Sequence, residues 1–214
     1  MRNPDTRDQE RERCGTDGPQ VRNGFGLAEF LIATLILLVT SASVFGLLSN
    51  VQRSAGYQTE VQSVLNNTRI AMQAVGRHIR QAGNDPLDSG RAGITALSPS
   101  EVRIQSDLTG SAGPGDPDKG DPDGDLDDSG EDVTIRFNNT TRSLEIVHGG
   151  AAQIVAGNIS GIYFRYFDGE GLPTLNGADV RRINVTISGA SLLRDPRTHQ
   201  PFGMQLTCDF QVAT

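Results

Sequence analysis

Phe25–Leu48 reads FGLAEFLIATLILLVTSASVFGLL, an apolar stretch whose single formal charge is Glu29. Wound as a helix at 1.5 Å per residue, these twenty-four residues reach roughly 36 Å, enough to cross a hydrocarbon layer of about 30 Å. A secretory signal carries a shorter apolar segment, about 7 to 15 residues, that ends at a small-residue cleavage site. Here the stretch is longer and the best cleavage signal precedes it, so residues 25–48 read as a membrane-spanning helix.

On the N-terminal side, residues 1–24 are polar. Five arginines (Arg2, Arg7, Arg11, Arg13, Arg22) stand against five acids (Asp5, Asp8, Glu10, Glu12, Asp17). Such a segment builds no core and reads as a leader. On the C-terminal side the helical pattern runs past the membrane edge over residues 49–82. Tyr57, Val61, Val64, Leu65, Thr68, Met72, Val75, Ile79 and Ala82 recur at steps of three and four, with Glu60, Asn66, Asn67, Arg69, Gln73, Arg77 and Arg80 mainly on other faces. No proline interrupts the run, and Gly83, Asn84 and Pro86 supply its stop. One helix is therefore expected from about Phe25 to Gln81.

Residues 83–214 change period to two, with Gly, Pro, Asn and Asp as punctuation. Strands are expected at Glu101–Ser106, Asp132–Phe137, Ser143–Val147, Gln153–Val155, Gly161–Phe167, Val180–Ile187 and Met204–Val212. An antiparallel sheet packed on the second half of the long helix follows, an α+β arrangement. Residues 110–132 interrupt the strands with an acidic loop rich in Gly and Pro.

That loop is one candidate for chemistry. Asp116, Asp118, Asp121, Asp123, Asp125, Asp127, Asp128, Glu131 and Asp132 crowd into it, and the alternation of Asp121, Asp123, Asp125 and Asp127, with Asp132 beyond, resembles the spaced oxygen ligands of a calcium loop. Leu126 stands where the EF-hand loop needs glycine, and Asp132 where it carries a bidentate glutamate. The same residues also fit a solvated loop with no ligand. Calcium is the one cofactor the sequence suggests, and none is required.

Charge and composition narrow the remaining classes. Asp and Glu outnumber Lys and Arg 26 to 19, a net charge of -7, which argues against nucleic acid as a partner. The hydrophobic content of 36% is concentrated in the N-terminal block and leaves a modest soluble core. Cys14 and Cys208 are the two cysteines; removal of the leader leaves Cys208 alone and forbids an internal disulfide. His78, His148 and His199 have no metal-ligand spacing between them. Gly24-Phe25-Gly26 begins like a dinucleotide fingerprint, but Glu29 takes the place of the last glycine and no strand precedes it. No nucleophile elbow, phosphate loop or zinc pattern is present, so an enzyme is not expected.

The junction Gly24-Phe25-Gly26-Leu27-Ala28-Glu29-Phe30-Leu31-Ile32-Ala33 resembles the processing motif of type IV prepilins: a glycine, then a phenylalanine, a short apolar run and a glutamate five residues into the mature chain. The resemblance implies cleavage between Gly24 and Phe25 by a prepilin peptidase and N-methylation of Phe25. It also implies insertion in the bilayer of a bacterial inner membrane as a single span with the C-terminal domain periplasmic, and assembly with other pilins by an inner-membrane platform. Independently of the family, a carboxylate at the start of a membrane helix is costly without a partner. Glu29 would find one in the Phe25 amine of a neighbouring subunit, or would simply be favoured by the dipole of its own first turn. Arg69–Gly83, Tyr163–Asp168 and Asp179–Val185 are similar to segments of minor pilins of the PilW type and of J-type pseudopilins of type II secretion. Gly46 stands where major pilins usually carry a proline. The expected role is a minor pilin that primes or caps a pilus. The alternatives are a type II secretion pseudopilin, an adhesin at a pilus tip, and an unprocessed single-span anchor.

Overall fold

The computed structural model describes residues 26–90, 92–110, 120–126, 128 and 130–212. Its element order is one α-helix, α1 (Leu27–Gln81), then β1 (Ile94–Leu97), β2 (Glu101–Gln105), β3 (Asp132–Asn138), β4 (Ser143–His148), β5 (Ala151–Ala156), β6 (Ile159–Phe167), a 3₁₀ turn (Gly177–Asp179), β7 (Arg182–Arg194) and β8 (Pro201–Gln211). The chain divides into two compact units, Met1–Ser49 and Asn50–Thr214.

What is described of the first unit is the opening part of α1. Its large apolar side chains are exposed on every face, from Leu27 at 78% through Leu38 at 69% to Leu47 at 68%. The helix runs unbroken through Gly46.

In the second unit, α1 buries one face against antiparallel sheets. Val64, Thr68, Ala71, Met72, Val75, Gly76, His78 and Ile79 are buried, while Arg69, Gln73, Arg77 and Arg80 face solvent. This is the face the three-and-four spacing predicts, with Tyr57, Val61 and Leu65 half-buried at its margin. Gly83, at φ 77°, ends the helix in the left-handed conformation that glycine adopts without strain. Its N–H bonds the carbonyl of Gln105 at 3.0 Å, tying the helix end to β2.

The expected single sheet is two sheets. One has the order β1-β2-β3-β4-β5, the other β6-β7-β8, and every pairing is antiparallel. The split falls at Gly157-Asn158. Asn158 has φ 58°, and beyond it the Ile159 N–H bonds Arg142 O while Ala190 N–H bonds Asn158 O, both at 3.0 Å. The chain thus leaves β5 and pairs with β7. The two sheets remain tied: Phe164 N–H bonds Pro99 O at 2.8 Å, and the Tyr166 hydroxyl bonds Ser98 O at 2.9 Å. The core joins Ala71, Met72, Val75, Ile79 and Ala82 of the helix end to Val102, Ile104, Val133, Ile135 and Leu144 of the first sheet. Ile159, Ile162, Phe164, Ile183, Val185 and Ile187 complete it from the second.

The largest departures from expectation are in β7 and β1. β7 runs on to Arg194 rather than stopping at Ile187, with Gly189 inside it. A methyl group there would lie 2.4 Å from Thr68 Oγ1 and 2.9 Å from Val64 Cγ1, so glycine lets helix and strand approach. β1 was not expected at all; it is four residues long.

Candidate functional site

Gly24 and Phe25, the expected cleavage and methylation positions, lie outside the described residues. Glu29 lies within them. Gly26 occupies the N-cap position of α1, its carbonyl accepting from Glu29 N–H at 3.0 Å and Phe30 N–H at 3.2 Å. The Glu29 carboxylate reaches back, Oε2 accepting from the Gly26 N–H at 3.1 Å. This is half of a capping box: an acidic side chain at the third helical position satisfies one of the amides a helix start leaves orphaned. Within a single chain, then, the carboxylate has a local partner in addition to the helix dipole.

The helix behind Glu29 suits an apolar solvent in its polar details as well. Its most apolar eighteen-residue window has mean hydropathy 2.4 and none of it is buried. Its hydroxyls turn inward: Thr34 Oγ1 donates to Phe30 O at 3.0 Å, Thr40 Oγ1 to Ile36 O at 2.9 Å and Ser43 Oγ to Val39 O at 2.9 Å. Those donors need no water. By length and composition the helix is able to span a membrane.

Part of the acidic loop lies within the described residues. Asp121, Asp123 and Asp125 are exposed, with Asp123 Oδ1 accepting from Asp125 N–H at 3.1 Å; Asp116, Asp118 and Asp127 lie outside the described residues. Asp132 is on β3, where Arg103 of β2 holds it through Nε–Oδ1 at 2.7 Å and a second contact from Nη2 to Oδ2. That hydrogen-bonded guanidinium holds the Asp132 carboxyl below the usual carboxylate range. Among the described residues, no three His, Cys, Asp or Glu side chains form a group that could hold a metal ion. Asp121, Asp123 and Asp125 are therefore not gathered with Asp132 into such a group.

What the loop does bury is Asp107 and Glu131, both at 0% exposure. Asp107 Oδ2 accepts from Gly124 N–H at 2.9 Å. Glu131 Oε1 accepts from Leu108 N–H and Thr109 N–H, each at 2.8 Å. Together they join the loop's two ends. Sequence reasoning passed over Asp107, which follows the second strand as a lone acid outside the dense cluster; only its contacts single it out. Glu60 was passed over too: its carboxylate accepts the backbone N–H groups of Leu192 and of Leu193, the latter at 2.9 Å, and so links α1 to the end of β7.

The histidines are scattered. His78 is buried on α1, its pKa lowered by burial and then by the Arg77 charge. His148 Nδ1 lies 3.3 Å from Asp132 O, and His199 sits in the turn before β8 at φ 57°. Cys208 is a free thiol exposed on β8. No protein-family profile matches the chain, and no curated protein matches it.

Proposed function

We propose that this chain is a minor type IV pilin, a structural subunit that primes or caps a pilus after a prepilin peptidase cuts between Gly24 and Phe25. The observation that carries the reading is α1: an apolar opening half with Glu29 capping its first turn, continued by an amphipathic half that packs on antiparallel sheets. A carboxylate in an apolar block is costly without a partner, and a second subunit offers Glu29 more than the cap that a plain anchor would give it. The processing motif ends at that carboxylate. On this reading Phe25 carries an N-methylated amine. The helix is stored in the inner membrane with the C-terminal domain periplasmic, as Arg11, Arg13 and Arg22 on the leader side against Arg53 beyond the span would orient it. An assembly platform then moves it into a filament of other pilins.

N-terminal mass spectrometry of the membrane-resident protein tests this. The expected first residue is Phe25 bearing a methylated amine; recovery of the intact leader in assembled filaments would overturn the proposal. The same processing serves a type II secretion pseudopilus, so co-purification with pilus fibres rather than secretion components decides between the two systems.

A further inference from the structure

β7 descends alongside α1 toward the helix residues that follow the apolar block. Gly189 lies against Val64 and Thr68, and further on Leu192 and Leu193 give their N–H groups to the Glu60 carboxylate, the latter at 2.9 Å. Phe202, where β8 begins its return, borders a cleft with Ala55, Tyr57, Gln58 and Val61. Between the two strands the chain turns, closed by Asp195 N–H to Gln200 O at 2.9 Å and by His199 N–H to Asp195 O at 2.8 Å. The run from Leu192 to Asp195, at about 3.3 Å per residue, carries the turn roughly 10 Å beyond Glu60. Arg53 precedes Glu60 on the helix by roughly 10 Å as well, at about 1.5 Å per residue. The turn is therefore level with Arg53.

Arg53 also follows Leu48 on the helix by about 7.5 Å, and the headgroup layer outside a hydrocarbon core of about 30 Å is roughly 5 to 8 Å deep. Chain connection alone thus sets Arg53 in that layer when residues 25–48 span a bilayer. We propose that the β7–β8 turn rests on the lipid surface beside the emerging helix, with Arg53, Arg194 and Arg197 on lipid phosphates. The proposal rests on the membrane-spanning reading and is independent of the filament. Charge complementarity supports it. Arg53, Arg194 and Arg197 are all exposed, and the ion pairs among the described residues belong to Arg103 and Arg136. Asp195 is the acid of the turn, and its Oδ1 accepts from the Arg197 N–H at 2.7 Å. Three guanidiniums thus outnumber one carboxylate at this level of a chain whose net charge is -7. A guanidinium fork matches phosphate oxygens, and basic residues just outside a span are drawn to anionic lipid. Leu192 and Leu193, 67% and 51% exposed, add apolar surface at the same end of the sheet.

The chain contains no tryptophan, so a single introduced one reports its own depth. The full chain is reconstituted in vesicles of phosphatidylcholine and phosphatidylglycerol that carry a nitroxide lipid labelled either at the headgroup or deep in the acyl chain. Leu193→Trp, or Leu192→Trp should the first not fold, is expected to be quenched by the headgroup label more strongly than Leu175→Trp. Leu175 lies toward the opposite end of β7, next to Thr174, which bonds Tyr166, the partner of Ile183. Leu38→Trp, read with the acyl label, checks the span itself. In the Leu193→Trp chain, replacing Arg53 and Arg197 by glutamine should lower the ratio of docked to free turn about fivefold for each arginine, seen as a fall in headgroup quenching. Quenching of Leu193→Trp no stronger than that of Leu175→Trp, with Leu38→Trp quenched, overturns the proposal and leaves the span standing. Quenching unmoved by the loss of both arginines overturns it equally. If Leu38→Trp escapes the acyl label, the membrane-spanning reading falls and the proposal falls with it.

Discussion

Replacing Glu29 by glutamine separates its two roles. In the single chain the carboxylate makes one exposed hydrogen bond, to the Gly26 amide at 3.1 Å. A glutamine at this helical position also serves a capping box, so Glu29→Gln keeps the cap, and a side-chain cap is in any case worth about 0.5 to 2 kcal/mol. The charge is another matter. If an assembled filament pairs Glu29 with the Phe25 amine of a neighbour away from water, removing one partner typically costs about 3 to 5 kcal/mol. At about 1.4 kcal/mol per factor of ten, that is roughly two to four orders of magnitude in incorporation. Membrane insertion should be unimpaired, because the substitution removes the one formal charge of the apolar block. The assay compares membrane and sheared-filament fractions of wild type and Glu29→Gln and scores leader removal in both. Normal cleavage with incorporation reduced a hundredfold or more is expected. Equal incorporation would refute the inter-subunit pair and leave Glu29 as a helix cap.

Two further outcomes probe the second unit. Ile79 has 0% exposure and Ile70 has 38%, so Ile79→Ala should lower unfolding stability by about 2 to 5 kcal/mol and Ile70→Ala by about 0.5 kcal/mol or less, read as midpoint shifts at unchanged slope in urea. Burial and the Arg77 charge lower the pKa of His78, so the unfolded chain takes up its proton first. Stability should then fall as pH drops from the unfolded value, about 6.5, toward the lower folded one, and His78→Gln should remove that part of the slope in chemical unfolding measured between pH 7 and 5.

Long, strongly periodic features were legible in the sequence. The helix face survived because Val64, Thr68, Met72, Val75 and Ile79 repeat over several turns, so a misjudged residue would not have moved the face. The strands were placed within a few residues where alternation was plain, as in Val133, Ile135 and Phe137. Failures came where one residue's role depends on a distant neighbour. Gly189 carries the same local signal as a turn glycine, and only Val64 and Thr68, more than a hundred positions earlier, reveal it as a point of close approach. The division into two sheets rests on the left-handed Asn158 and on hydrogen bonds to Arg142 and Ala190, none of which has a period to detect. The alternating aspartates drew notice, while burial fell on Asp107 and Glu131, which long-range backbone amides select.

The two halves of α1 follow different rules because their surroundings differ. From Val64 onward, apolar residues take one face, since the other meets water. From Leu27 to Val51 they take every face and stay exposed, and the intervening hydroxyls are satisfied by the helix itself. A helix apolar all round needs lipid or the apolar faces of neighbouring helices around it. Both surroundings exclude water, so side chains such as Leu35, Leu38 and Phe45 are matched equally by either, and their exchange contributes little preference for one over the other. On the filament reading, a preference for assembly must then come from a group whose partner changes between the two states. In this stretch the one formally charged group is Glu29: capped by Gly26 in the single chain, and one helical turn from the position that leader removal would turn into an amine. Conservative swaps along the apolar block, such as Leu35→Ile, should therefore leave the balance between membrane and filament nearly unchanged, while the Glu29 carboxylate decides it.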